Sequence, residues 1–402
     1  MASVLFAWEL GANLGHVGTL LTIAKELRAR GHQVHWLVAQ PALVGALLQA
    51  NGFSWLAAPT AVEERREGAP ISYADILLRY GYSGADRLLG LVGAWRESMR
   101  LTGAKLVVAD HAPSAMVAAR TMGIPVMLRS PGFSVPPRRR PVPGLRPWAP
   151  VSAAQLLAAE DQALASINRV LAEFGKEALV ALADLFAVEE DALVTFPELD
   201  HYADRGPARY WGGMPYAEIG EPPSWPDLPG RRLFAYLRGE CPHWEAALAA
   251  LQGLGLPTAI YFPGLPEEVR RRWQAPHLAF AAKPLDLRST AAKAVVAVTY
   301  ASPAATIAFL LAGKPLLLLP MHLEQYLLAR RVVEMNAGLL IHPEQPAGDL
   351  RQPLERLLTE PAFRDNAAAF ARKYAAFDQA QVLANLVRRA EEILQANRGS
   401  DK

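Results

Sequence analysis

Cysteine is almost missing from this 402-residue chain. Cys241 stands alone and can form no intrachain disulfide, so the fold does not depend on an oxidising compartment. An excess of one charge is missing too. The 41 Lys and Arg against 39 Asp and Glu leave a net charge of +2, without the concentrated positive charge of a nucleic-acid binder. No hydrophobic run is long enough to read as a membrane span. The most apolar stretch, residues 291–320, is broken by Lys293, Ser302, Pro303, Lys314 and Pro315 and reads as buried strand and helix in succession. Residues 1–9 carry no basic segment ahead of an apolar one, so they are not read as a signal peptide, and a cytoplasmic location is the default expectation. No solenoid-period repeat is visible.

What is present is core material. Hydrophobic residues make up 51% and charged residues 20% of the chain, a balance that excludes disorder along its whole length. At about 150 residues per domain, the length suggests two or three domains.

The apolar run at residues 3–8 predicts a buried strand. Apolar positions at helical spacing follow over residues 16–30, closed by Gly31, and residues 33–39 predict a second strand. Strand, helix and strand recur over 105–109, 114–122 and 124–128. Residues 136–150 are proline-rich and predict a surface loop. Helices are predicted over 153–174 and 176–186, and a strand over 192–196.

The βα alternation then restarts. Strands fit 233–237, 258–262, 278–281, 294–298 and 315–319, and helices fit 244–254, 303–312, 324–335 and 374–396. Such alternation implies an α/β fold with parallel sheets covered by helices on both faces. Five prolines and two glycines within residues 214–231 mark an interdomain linker.

The first glycine loop is not a dinucleotide fingerprint. Gly11, Gly15 and Gly18 are spaced G-x-x-x-G-x-x-G, and Val38-Ala39-Gln40 offers no acidic residue at the end of the second strand. His16 stands at the loop–helix junction, where open α/β sheets place their ligands, and its side-chain type suits general-base chemistry near neutral pH. The plain alternative is a histidine that caps the helix or fills a polar niche. Asp110 ends another strand and is a candidate to orient an imidazole. His111, next to it, reads as structural or acceptor-facing. His32 and His35, at an odd offset along a strand, point to opposite faces and make no metal site.

The runs Gly11-Ala-Asn-Leu-Gly-His-Val17, Glu-Leu-Arg-Ala-Arg-Gly-His32, Val-Val-Ala-Asp110, Phe-Pro-Glu-Leu-Asp200 and Leu-Leu-Ala-Gly-Lys-Pro-Leu-Leu-Leu-Leu-Pro320 resemble the GT-B nucleotide-sugar glycosyltransferases. The resemblance is to the UDP-glycosyltransferase and macrolide glycosyltransferase family and covers nearly the whole chain. It implies two doubly wound Rossmann-like domains facing across a cleft. Residues 1–213 would bind the acceptor, 214–231 would link, 232–373 would bind the nucleotide-sugar, and 374–402 would return as a helix onto the first domain.

The family's activity implies that His16 deprotonates an acceptor hydroxyl with Asp110 behind it. The oxygen then inverts the anomeric carbon and expels a nucleoside diphosphate, with no metal and no cofactor beyond the nucleotide-sugar co-substrate. The implied partners are that donor and a small, lipophilic, hydroxylated acceptor, with no nucleic acid. Trp8, Gly15, Tyr80 and Phe133 are the acceptor-side candidates, with Tyr73, Tyr82 and Trp148 as further aromatic ones.

On the donor side the chain departs from the family. The His-Gly-Gly-x-Gly-Thr motif that cradles the diphosphate is matched by Tyr300, Ala301, Ser302, Pro303, Ala304 and Ala305, and the ribose-binding glutamate by Ala308. Ser302 still suits an N-cap and Pro303 the first helical position, so a helix N-terminus would remain for an anion, with one amide fewer. Tyr300 would stand in for the histidine, and Arg238, beside Gly239, would supply positive charge. Glu324-Gln325 matches the acidic-Gln pair that holds sugar hydroxyls, with His322 beside it. Arg138, Arg139 and Arg140 read as a solvated run, or as contacts to an anionic acceptor or a partner protein. These departures keep a second reading open, a pseudo-glycosyltransferase that binds a ligand or scaffolds a partner. A GT-B sugar-nucleotide epimerase is a third reading, and the first loop suits it less well.

Overall fold

A computed structural model describes residues 1–11, 15–214, 220–346 and 348–400, with side chains described through residue 397. The chain divides into two units. The first comprises Met1–Phe196, Asp204–Ala217 and Gln379–Lys402, and the second comprises Pro197–Ala203 and Glu218–Asp378.

The first unit holds strands β1 (Ser3–Trp8), β2 (Gln33–Val38), β3 (Leu56–Ala57), β4 (Leu106–Asp110), β5 (Val126–Ser130) and β6 (Glu190–Leu193), in the spatial order β3-β2-β1-β4-β5-β6. The second holds β7 (Leu233–Tyr236), β8 (Thr258–Tyr261), β9 (Leu278–Ala281), β10 (Val296–Thr299), β11 (Leu316–Leu318) and β12 (Gly338–Leu340), in the order β12-β11-β10-β7-β8-β9. Every strand pair among the described residues is parallel.

Parallel strands need crossover helices, and the helices cover both faces of the sheet. The central strands are therefore buried throughout, which is why Ser3–Trp8 reads as unbroken apolar sequence rather than as alternation. In each sheet the winding reverses beside the first strand, between β1 and β4 and again between β7 and β10. Those two points are where loops at the carboxyl ends of strands diverge and leave a crevice for ligands.

Several elements depart from expectation. Only Leu182–Phe186, as a 3₁₀ turn, forms within the helix predicted over 176–186. Gly175 takes a left-handed φ of 63°, the Asn168 side chain brackets the backbone of Leu179, and Asp184 accepts from the amides of Val180 and Ala181. Such local side-chain bonds compete with the helical ladder. The last helix is Gln379–Ser400, beginning five residues later than predicted. The preceding helix, Pro361–Lys373, ends at Tyr374, whose hydroxyl donates to Glu198 at 2.7 Å. Helices Pro41–Ala50, Tyr73–Arg79, Ala85–Thr102, Arg351–Thr359 and Pro361–Lys373 were not expected.

Of the linker predicted over 214–231, residues 215–219 lie outside the described residues. Beyond them Glu221 forms a bridge with Leu285 and an ion pair with Lys283 at 2.6 Å. The final helix lies with the first unit: Arg389 pairs with Glu190 at 3.0 Å and Arg30 with Glu391 at 2.7 Å.

The proline-rich loop is not merely superficial. Val142 and Leu145 are buried, and Glu160, on the helix Ala153–Glu173, accepts from the amides of Val142 at 2.7 Å and Leu182 at 2.9 Å. One buried carboxylate thus satisfies two irregular segments that have no ladder partners. Glu160→Ala leaves both amides unpaired and should cost about 2–5 kcal/mol of unfolding free energy, read as a lower midpoint in urea denaturation.

Candidate active site

The switch point of the first sheet carries a chain of charges. Asp110 ends β4 directly beside Trp8 at the end of β1 in the strand register. The helix Gly15–Ala29 begins after the loop that follows β1 and presents His16. His16 Nδ1 lies 3.1 Å from Asp110 Oδ1, and the other carboxylate oxygen, Oδ2, accepts from Arg129 at 2.7 Å. The His16 ring stacks on Trp8, with centroids 5.3 Å apart and planes 19° apart. Asp110 is fully buried. Burial works to raise its pKa, but the charges of His16 and Arg129 and the hydrogen bonds from both outweigh it and hold the carboxyl below its ordinary value.

Arg129 escaped the sequence reading. Its signal was available: a cation in the buried strand Val-Met-Leu-Arg-Ser, one strand away from Asp110. Gly11 also earns its place by geometry. Its φ is +87°, and a Cβ there would lie 2.8 Å from His16 Nε2, so only glycine lets the imidazole sit this close. Residues 12–14 of the motif run lie outside the described residues.

His111 is buried in an aromatic nest, 5.8 Å from Tyr73, 6.4 Å from Phe133 and 6.4 Å from His16, centroid to centroid. Burial, then the charge of His16, pushes its pKa down to about 3. It is a neutral imidazole at any physiological pH and takes a left-handed φ of 46°. Trp8 and Phe133 thus lie around the two histidines. Tyr80 does not join them: its hydroxyl bonds Glu63, and burial, followed by the charge of Glu63 and that bond, lifts its pKa. Gly15 opens the His16 helix and its carbonyl accepts from Thr19 at 3.0 Å. Tyr82 is buried and bonded to Ser114, whereas Trp148 is exposed.

The switch point of the second sheet lies between β7 and β10; Arg238 and Gly239 follow the end of β7 and Tyr300 and Ser302 the end of β10, whereas Glu324 and Gln325 lie after β11. Tyr300 packs edge-on against Tyr236 at 4.8 Å, and Tyr236 lies 5.0 Å from Tyr261. Burial, followed by the charge of Tyr236 and a hydrogen bond with it, lifts the Tyr300 pKa well above its ordinary value. Arg238 is close enough for its charge to act on Tyr300 and Tyr236, and it bonds Glu240 at 3.3 Å. Gly239 follows it, with Phe262 alongside.

Ser302 caps the helix Pro303–Leu311, accepting from Ala305 at 3.3 Å, and Pro303 and Ala304 open its first turn, half-buried. Ala301 carries a left-handed φ of 61°. His111 and Ala301 are therefore strained non-glycine residues in matching places, just past the switch-point strand, and such strain clusters at functional sites. Gln325 is buried and its Oε1 accepts from Met321 at 2.8 Å, while Glu324 is half-buried in the first turn of Leu323–Glu334. His322 is exposed just before that helix.

The arginine run is consumed internally. Arg138 pairs with Asp191 at 3.3 Å, Arg139 with Asp204 at 3.2 Å and Arg140 with Asp161 at 2.5 Å. These exposed pairs pin the proline-rich loop weakly. Among the described residues, no three His, Cys, Asp or Glu side chains group as metal ligands, and no helix is long and apolar enough to cross a membrane.

Two outcomes follow from these contacts. Arg129→Met strips one partner from a buried carboxylate and should lower stability by about 3–5 kcal/mol, measured by denaturant unfolding. His111 is held neutral in the fold, so the unfolded chain binds its proton first. The stability it contributes is fully present above about pH 6.5 and is lost as pH falls toward about 3. His111→Asn, which tolerates the left-handed backbone, should flatten the stability–pH curve in that window by up to about 1.4 kcal/mol per pH unit. An unchanged slope would place the titrating group elsewhere.

No family model matches this chain, and no curated protein matches it. Solved structures do. The calicheamicin glycosyltransferase CalG4 aligns with a TM-score of 0.69 at 19% identity, over 99% of this chain and 98% of that one. Glycosyltransferase VinC, solved in complex with dTDP, aligns with a TM-score of 0.65 at 18% identity, over 97% of this chain and 99% of that one. The spinosyn rhamnosyltransferase SpnG, solved with spinosyn aglycone, aligns with a TM-score of 0.65 at 18% identity, over 97% of this chain and all (100%) of that one. Two parallel six-stranded sheets, each reversing beside its first strand, together with these full-length alignments, give this chain the GT-B fold of the antibiotic glycosyltransferases.

Proposed function

We propose that this chain is an inverting, metal-independent glycosyltransferase that moves a sugar from a nucleoside-diphosphate donor to a hydroxyl of a small, lipophilic acceptor. The observation that carries the reading is the 3.1 Å contact of His16 Nδ1 with a buried Asp110 at the switch point of a GT-B fold. Asp110 fixes which imidazole nitrogen faces it, leaving Nε2 to take the acceptor proton. As the O–H bond breaks, the oxygen forms a bond to the anomeric carbon. The bond from that carbon to the diphosphate breaks, and its electron pair leaves with the nucleotide. The imidazolium formed is stabilised by Asp110, whose own charge Arg129 balances. Trp8 and Phe133 would give an acceptor an apolar wall.

On the donor side, Arg238, the Tyr300 hydroxyl and the amides that open the helix after Ser302 would receive a diphosphate. The dTDP bound by VinC and the spinosyn aglycone bound by SpnG make thymidine-diphosphate sugars and that aglycone the first compounds to try.

One observation favours a second reading, a binding protein without transfer activity. Ala301 and Ala304 put methyl groups where close backbone approach is needed, and the Tyr300 ring packs against Tyr236. A thermal-shift screen of dTDP-, UDP- and GDP-sugars separates the two, because a transferase should be stabilised by at least one of them. With a responsive donor and acceptor in hand, His16→Ala should lose about a hundredfold or more in kcat, followed by mass spectrometry of the glycosylated product. Undiminished turnover in that variant would reject His16 as the base.

A further inference from the structure

Glu9 is a buried carboxylate that the mechanism above does not use. It follows Trp8 at the carboxyl end of β1 and is 2% exposed. Its Oε2 accepts from the Ser114 amide at 2.8 Å, and the Ala115 amide also bonds the carboxylate. Oε1 has no partner among the described residues. The reason for a carboxylate here is visible in the helix it meets. Pro113–Met122 has Ala112 at its N-cap, with no side-chain cap, and Pro113 at its start. The free amides of its first turn, which a Ser or Asp would ordinarily receive locally, are instead received from another strand.

That helix starts three residues after Asp110. The connection between them, His111 and Ala112, contains the left-handed residue and has no regular ladder to hold it. Glu9 fixes the helical end of the connection. Next along the chain, the Leu10 amide donates to the His111 carbonyl at 2.9 Å, and the Leu10 carbonyl accepts from Trp8 Nε1 at 2.8 Å. Trp8 in turn stacks on His16. Three consecutive residues, Trp8, Glu9 and Leu10, thus touch the imidazole and both sides of the turn that carries its carboxylate.

We propose that Glu9 is a positioning residue for the His16–Asp110 pair, capping from β1 the helix that follows Asp110 and so setting the turn that aims the carboxylate at His16. Burial, only partly offset by the hydrogen bonds from Ser114 and Ala115, pushes the Glu9 carboxyl up to about 7. The strength of the cap therefore changes near neutrality, since the ionised form is the better acceptor. The groups facing Glu9 are the amide and hydroxyl of Ser114, the amide of Ala115 and the Tyr82 phenol, which bonds the Ser114 hydroxyl at 3.1 Å. Tyr82 titrates well above 10, His111 near 3 and Asp110 below its ordinary value.

The inference rests on His16 and Asp110 being the reactive pair, but its test reads their geometry alone, so it can fail while sugar transfer stands. The full chain, labelled with ¹⁵N-histidine, is followed by NMR through the His16 Nδ1–H resonance, assigned with His16→Gln. A hydrogen bond to a buried carboxylate moves that proton downfield and slows its exchange. Glu9→Leu removes both acceptors at similar size and should lose the downfield resonance while far-UV circular dichroism stays native. Glu9→Gln keeps one carbonyl acceptor for Ser114 and should retain it. Protonation of the His16 ring itself causes one step in the wild-type resonance, read separately at its Nε2 shift. Apart from that step, the resonance should show a further one with a midpoint near pH 7, and Glu9→Gln should abolish that further step. A folded Glu9→Leu protein with the resonance in place would overturn the proposal. If Glu9→Leu does not fold, the pH series decides: the same further step near 7 in Glu9→Gln overturns it, and loss of that further step supports it.

Discussion

The first unit depends on a charge balance inside its sheet. Asp110 is wholly buried and ionised, and a lone carboxylate there would cost several kcal/mol. It is sustained from two sides, by His16 on the helix after β1 and by Arg129 on the neighbouring strand β5. Three elements far apart in sequence are therefore committed to one geometry. Because Arg129 is a permanent cation, the carboxylate keeps a charged partner whether His16 is protonated or not.

The surroundings limit what His16 can do otherwise. Trp8 fixes the ring plane, Gly11 permits close packing at Nε2, and His111 remains uncharged beside it. A second imidazolium 6.4 Å away would repel a protonated His16, and burial keeps His111 from becoming one. The switch point of the second unit is lined differently from that of the first, with phenols and a guanidinium. Tyr236, Tyr261 and Tyr300 make a surface of aromatic edges with Arg238 near it, and the strained backbone lies at Ala301 rather than at a glycine.

Much of the alternation was legible because buried parallel strands are short, apolar and punctuated by glycine. Leu278–Ala281 and Trp244–Leu254 have the bounds their patterns predict. The segment 176–186 misled because its apolar spacing suits a helix, while Asn168 and Asp184 bond its backbone first. The arginine run could not be read at all from its own residues, since Asp161, Asp191 and Asp204 approach it from 21 to 65 positions away.

By itself the sequence determined the periodicities, the two rounds of βα units, and the placing of His16 at a loop–helix junction and of Asp110 at a strand end, because these follow from local spacing. The pairing of those two side chains was an expectation that the tertiary structure turned into a 3.1 Å contact. Only the tertiary structure decided that Arg129 joins them, that Tyr80 turns to Glu63 and that Glu9 caps a helix on another part of the chain. Such contacts are fixed by strand order and register, and register brings together residues whose separation in sequence carries no signal.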